Sequence, residues 1–125
     1  MNMKLTPNFS KSEFDSKDGS PMPPEVFERI NELARNLQVL RDELGQPITI
    51  TSGYRSPAHN AAVGGATRSQ HLYGTAADFK VKNTAAVVVA ETIERLISEG
   101  RMIEGGLKAY SSWTHYDVRG TKARW

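Results

Sequence analysis

SQHLYGTAADFK, residues 69–80, is the stretch on which the reading of this chain turns. Its second half, extended by one residue to AADFKV over 76–81, has the composition of a strand. Side chains on a strand alternate, so Ala76, Asp78 and Lys80 share one face and Ala77, Phe79 and Val81 the other. Asp78 is thereby turned away from the side that Phe79 gives to a core. The first half sets His71 seven positions ahead of Asp78. Gly74, with Ala76 and Ala77, lets other backbone approach closely there. Farther along, WTHYDVRG over 113–120 sets His115 two positions before Asp117. A strand over 114–118 puts these two on one face, opposite Tyr116 and Val118. Two imidazoles and a carboxylate are what a catalytic zinc site needs, three protein ligands and an open position for water. The expectation is that His71, Asp78 and His115 meet in the fold, although a histidine and an aspartate at that spacing are not by themselves a specific signal.

The flanking segments supply a scaffold. Val26, Ile30, Leu33, Leu37, Leu40 and Leu44 recur at helical spacing behind Pro23-Pro24, and Gly45 with Pro47 stops the run. Ile48-Thr49-Ile50-Thr51 reads as a short strand leading into the loop SGYRSP, residues 52–57. Residues 58–63 suit a short helix ended by Gly64-Gly65. Asn83 or Thr84 is the expected cap of a second long helix that runs through Val88, Val89, Ile93 and Leu96 to Gly100. Residues 103–110 and 114–118 read as antiparallel neighbours joined by Ser111-Ser112. Residues 1–23 form an arm of little regular structure, pinned by Phe9 and Phe14, with one helical turn capped by Ser10 and Glu13 and a turn at Asp18-Gly19. Residues 119–125 are basic and expected to be exposed except for Trp125. The fold class that follows is α+β, a small antiparallel sheet packed against two main helices, in one domain over 1–125.

Composition narrows the function. The 125 residues contain no cysteine, so a metal must be held by His, Asp or Glu. Lys and Arg number 16 against 14 Asp and Glu, a net charge of +2, and with no basic stripe this argues against nucleic acid. No segment approaches the ~20 apolar residues of a membrane span, so no membrane insertion is expected. MNMKLTPNFS lacks the apolar segment of an export signal, which predicts synthesis in the cytoplasm without a signal peptide.

The motifs together resemble the zinc D-Ala-D-Ala carboxypeptidase and L-alanyl-D-glutamate endopeptidase family, which shares its fold with the Hedgehog signalling domain. The family pattern S-x-H-x-x-G-x-A-x-D is met by Ser69, His71, Gly74, Ala76 and Asp78, and a later H-x-D by His115 and Asp117. SGYRSPAHN, residues 52–60, is similar to the family's S-G-[FY]-R-S-P-x-x-N segment. The resemblance covers roughly residues 9–125. It implies zinc as cofactor, held by His71, Asp78 and His115, and it implies that Arg55 binds a substrate carboxylate or carbonyl. Zinc so held would acidify its water and polarise a scissile carbonyl. Several relatives place a carboxylate base three residues before the last histidine, where this chain has Ser112. Asp117 is the first candidate for the base, with fixing His115 by a hydrogen bond as its alternative, and Glu104 is a distant second. Ser69 is either a neighbour of the site or a turn former, and His59 a structural or substrate-facing residue. Of Tyr54, Tyr73, Tyr110 and Trp113, one or two are expected to be exposed along a groove. The implied function is hydrolysis of an amide bond in the peptide stem of bacterial peptidoglycan, at the cell wall, by a monomer resembling a phage endolysin's catalytic domain. The alternatives are D-Ala-D-Ala carboxypeptidase activity and a non-catalytic module that binds wall peptide.

Overall fold

The computed structural model describes residues 3–125; of the expected arm, Met1 and Asn2 lie outside the described residues. Helix α1 spans Pro24–Leu44 with proline in its first turn, and Gly45 ends it in the left-handed region at φ 65°, its N–H bonded to the Arg41 carbonyl. That conformation costs glycine little and other residues more, which is why the helix stops there. Strand β3 is Ile48–Ser52, α2 Pro57–Ala62, β4 Ala76–Val81 and α3 Ala86–Ser98. Strands β5 (Gly106–Ala109), β6 (Thr114–Asp117) and β7 (Ala123–Arg124) complete a five-stranded sheet of order β3-β4-β6-β5-β7. All neighbours are antiparallel except β5 and β7, which run parallel. One sheet face carries Ile48, Ile50, Ala77, Phe79, Leu107 and Tyr116 into a core shared with Ile30, Leu33 and Leu37 of α1 and Val89, Ile93 and Leu96 of α3. The α+β class expected from the sequence is the class observed.

Three details differ from expectation. Neither Asn83 nor Thr84 caps α3, whose N-cap is Ala85 with no side-chain hydrogen bond. Asn83 instead takes φ 56°, a left-handed turn that asparagine tolerates, and Thr84 bridges back to Val81. The tail is not free: Ala123 and Arg124 pair with Gly106 and Leu107 as β7, while Trp125 is 53% exposed rather than buried. Basic composition hid this strand, because Arg124 is neutralised by Glu94 and Glu104.

The arm is also more regular than its sequence suggests. Lys4–Thr6 (β1) and Phe9–Ser10 (β2) form a small antiparallel ribbon, too short for any periodicity to announce. The helical turn Lys11–Phe14 follows, with Glu13 accepting from the Ser10 N–H at 2.7 Å as the capping pattern predicts. Phe9 and Phe14 are buried with ring centres 6.0 Å apart. The Tyr54 N–H donates to the Phe14 carbonyl at 2.8 Å, so the arm braces the loop after β3. A Cβ at Gly53 would lie 2.7 Å from the Phe14 Cα, which explains a glycine at that point of closest approach.

Candidate metal centre

Each member of the His–Asp–His set is placed by a different device. Asp78 lies in β4, on the face opposite Phe79, and pairs directly across the sheet with His115 of β6. His71 comes from a one-turn 3-10 helix, Gln70–Tyr73, whose start is capped by the Ser69 Oγ accepting from the His71 N–H at 3.2 Å. Ser69 thus forms the turn, and it also neighbours the site, lining the cavity above it. Gly74 closes the turn at φ 78°, where a Cβ would meet the Val26 carbonyl at 2.8 Å, so α1 packs directly beneath. The Arg55 N–H donates to the His71 carbonyl at 3.0 Å, tying this turn to the loop after β3.

The geometry brings the three expected ligands together. His71 Nε2 lies 3.3 Å from Asp78 Oδ2 and His115 Nδ1 lies 3.0 Å from Asp78 Oδ1. One ligand atom from each falls within 4.8 Å of the others. Both rings are nearly buried and stand edge to face with centres 5.5 Å apart. Outer partners fix which nitrogen faces inward. His71 Nδ1 is 2.8 Å from the Gly53 carbonyl, which can only accept, so Nδ1 carries the proton and Nε2 offers its lone pair. His115 Nε2 is 2.8 Å from Asp117 Oδ2, so Nε2 likewise donates outward and Nδ1 is the inward atom.

The charges agree with a cation site. Burial alone would raise the Asp78 carboxyl, but its contacts with the His115 and His71 imidazoles outweigh it and hold the group well below the usual carboxylate range. Burial would likewise lower His115, yet its bonds to Asp117 and Asp78 raise it above the ordinary histidine value. An imidazole between two carboxylates retains a proton, and a divalent cation at Nδ1 takes that proton's place. Two imidazole nitrogens and a carboxylate oxygen, each imidazole backed by an acceptor, fit zinc in donor type, number and outer support.

The expected base positions fall elsewhere. Asp117 is fully buried and sits behind His115, on the side away from Asp78. Its Oδ1 accepts from the Gly106 N–H at 2.8 Å and Arg119 Nε at 2.8 Å, and its Oδ2 from Arg119 Nη2 at 2.8 Å as well as from His115. These bonds hold the carboxyl well below its usual range against the opposing effect of burial. These contacts occupy both oxygens on the side of His115 away from Asp78, the placement expected under the alternative reading, in which Asp117 fixes His115 by a hydrogen bond. Glu104 is bonded to Arg124 and to the Gly105 N–H, and Ser112 is exposed in the turn between β5 and β6.

Above the cluster opens a cavity of about 320 Å³ whose lining includes Arg55, Arg68, Tyr110 and Trp125. Arg55 reaches it with Nη2 3.4 Å from Asp78 Oδ2, its Nε on Ser52 and its Nη1 on Asn60. The Trp125 ring stands edge-on to His115, centres 5.1 Å apart, and its Nε1 donates to the Tyr110 hydroxyl at 3.2 Å. Tyr110 stacks on Trp113 at 4.4 Å. Of the four expected groove aromatics only Tyr73 is exposed, and Tyr54 is core. The His59 N–H merely closes the first turn of α2 on Ser56 Oγ. Sequence reasoning gave no site role to Arg119 or Trp125 and met Asn60 only as the last letter of the SGYRSPAHN segment; the one available signal for Arg119 is its place two residues after Asp117.

Comparison with known proteins agrees with this site. The zinc D-Ala-D-Ala carboxypeptidase of Streptomyces albus G is 51% identical over 43 residues, which cover 34% of this chain and 17% of that protein. The match thus takes in about a sixth of the relative's length. A family model described as Peptidase M15 matches residues 4–117, from the first strand of the arm to the aspartate behind His115. Because that span takes in four of the sheet's five strands and all three candidate ligands, the chain belongs to the Peptidase M15 family.

Proposed function

We propose that the protein hydrolyses an amide bond in the peptide stem of bacterial peptidoglycan, with His71, Asp78 and His115 as the zinc ligands. The observation that carries this reading is the convergence of those three side chains with both imidazoles' outer nitrogens already occupied by acceptors. Zinc held there supplies a Lewis acid that polarises a carbonyl and acidifies water. The chain's own residues do the rest. Asp117, clamped by Arg119, keeps His115 in the tautomer that turns Nδ1 inward. Arg55, oriented by Ser52 and Asn60, offers its remaining N–H groups to a substrate carboxylate or carbonyl. The Trp125 ring covers one side of His115 and keeps bulk water from it.

The relative's name supports removal of a terminal D-alanine as the alternative bond. A second reading, a module that binds wall peptide without turnover, is favoured by one observation. Among the described residues lining the cavity, Asp78 is the only carboxylate, so no free base stands beside the cluster. The protein is proposed to act as a monomer at the bacterial cell wall, as a lysis enzyme of phage type does; no described helix is long and apolar enough to cross a membrane. Digestion of purified peptidoglycan with and without chelator, followed by mass analysis of the fragments, tests this. New amine ends that vanish with chelator are expected. Retention of the protein on peptidoglycan with no new ends refutes the peptidase reading and supports the binding module.

A further inference from the structure

The cavity over the metal centre is unbalanced in charge. Its lining includes three guanidinium groups, Arg55, Arg68 and Arg119, and one carboxylate, Asp78. Arg119 is spent on Asp117, and Arg55 is engaged by Ser52, Asn60 and Asp78. Arg68 differs from both: among the described residues it has no hydrogen-bond or ion-pair partner. Arg68 is exposed at the cleft, and its charge adds to the positive potential that an arriving anion meets there.

The loop bearing Arg68 is fixed relative to Arg55 by a single buried side chain. Asn60, 4% exposed, accepts from Arg55 Nη1 at 3.3 Å and donates to the Ala66 carbonyl at 2.9 Å. Its own carbonyl accepts from the Gly65 N–H at 2.8 Å. A Cβ at Gly65 would collide with the Asn60 side chain and lie 3.1 Å from Arg55 Nη1, so the loop is pressed onto the residue that steadies Arg55. The Ser69 N–H then turns back to the Ala66 carbonyl at 3.0 Å, which closes the loop around Arg68. The backbone on either side of Arg68 is in this way fixed relative to Arg55, and the cleft carries two guanidinium groups on that side, Arg55 partly engaged and Arg68 exposed with its donors open.

We propose that Arg68 binds a second substrate carboxylate, separate from the group taken by Arg55, and that the protein selects peptides with two carboxylates near the scissile amide over peptides with one. This rests on the peptidase reading above and names the substrate class of that site. A guanidinium offers a carboxylate a planar pair of N–H donors, which suits a site where register along the peptide matters.

The test uses the zinc-loaded 125-residue chain and a set of stem peptides. The parent carries all its carboxylates, and each other member has one of them converted to an amide. For the wild type, one amidation in the set is expected to lower kcat/KM by about tenfold, the size of a charge-assisted hydrogen bond. Arg68→Gln is expected to lose the same factor on the parent and to be indifferent to that one amidation. Arg68→Lys is expected to recover part of the loss. Arg68→Gln that cleaves the parent as fast as the wild type, or that loses the same factor on every member of the set, overturns the proposal and makes Arg68 a solvated surface residue. Calorimetric binding of the same peptides to both proteins separates the two readings. A wild type that binds but cleaves nothing refutes hydrolysis, while the Arg68 comparison is read from the affinities.

Discussion

Asp117→Asn is the substitution that most directly separates two roles for the residue behind His115. The exchange keeps shape and removes one charge, but it also turns one acceptor into a donor. In the structure Oδ1 of Asp117 faces three donors, Gly106 N–H, Arg119 N–H and Arg119 Nε, while Oδ2 faces Arg119 Nη2 and His115 Nε2. An amide nitrogen at the Oδ1 position would oppose three N–H groups, so the favoured orientation places it at Oδ2. There it donates to His115 Nε2 and obliges that nitrogen to accept. The ring proton then moves to Nδ1, the atom that faces Asp78. Zinc binding displaces the Nδ1 proton in either protein, but in the variant it must also rebuild the tautomer that carries the proton on Nε2. Loss of such an outer partner costs about 10- to 100-fold in metal affinity, or about 1.4 to 2.8 kcal/mol. Competition against a chromophoric chelator at fixed pH measures it, and nitrogen chemical shifts of His115 in metal-free protein report the tautomer directly. Zinc affinity within twofold of the wild type would refute this reasoning. If turnover were lost at the same time, Asp117 would be a base after all, against its burial.

Other outcomes follow from the same geometry. Zinc at a thousand times its dissociation constant stabilises the folded state by about 4 kcal/mol, so chelator should lower Tm by ten degrees or more; His71→Ala, lacking a ligand, should show no difference between zinc and chelator. Gly106→Ala places a methyl against Asp117 Oδ2 and Arg119 Nη2, and it should cost about 1–3 kcal/mol of stability and weaken zinc binding, read by thermal melts and chelator competition. Asp18 accepts from Ser56 Oγ at 2.6 Å, the Ser20 N–H at 3.0 Å and Ser16 Oγ at 2.7 Å, which together hold its carboxyl well below the usual range. A depressed carboxylate stabilises the fold above its unfolded pKa of about 3.9 and loses that effect as pH falls through its folded value. Asp18→Asn should therefore flatten the decline of Tm below about pH 4; an unchanged decline would assign it to other carboxylates.

What was legible in the sequence is what periodicity and alternation can express. The α1 stripe from Val26 to Leu40, the strand AADFKV and the facing of Asp78 away from Phe79 follow from side-chain spacing alone, and the structure has them so. The convergence of His71, Asp78 and His115 needed the motifs in combination, because spacing says nothing about which strands pair. The rest was hidden for separate reasons. The position of Asp117 behind His115 depends on which imidazole nitrogen points inward, and that is set by a cross-strand neighbour. Strand β7 is two residues long, and its pairing is decided by Arg124 reaching Glu94 and Glu104, contacts 30 and 20 positions distant. Asn60 sits in a six-residue helix that looks like connection, yet its side chain joins two loops.

The register of the central strands settles core and site in one decision. Ala77 faces Tyr116 and Phe79 faces Thr114 across the β4–β6 pair, all on the buried side. The intervening pairs, Ala76 with Asp117 and Asp78 with His115, are then forced onto the other face. A slip of one residue would bring His115 and Asp117 to the side where Phe79 and Tyr116 now lie, and charge would enter the core with no partner. The apolar residues therefore hold two of the three candidate ligands opposite each other without any metal. The third is not delivered by the sheet. His71 depends on two close approaches, of Gly74 to Val26 and of Gly53 to Phe14, and so on α1 and the arm. This explains why the arm and the first helix, which contribute no ligand, are as much a part of the site as β4: they bring the lone pair of His71 Nε2 to within 3.3 Å of a carboxylate that the sheet has already placed.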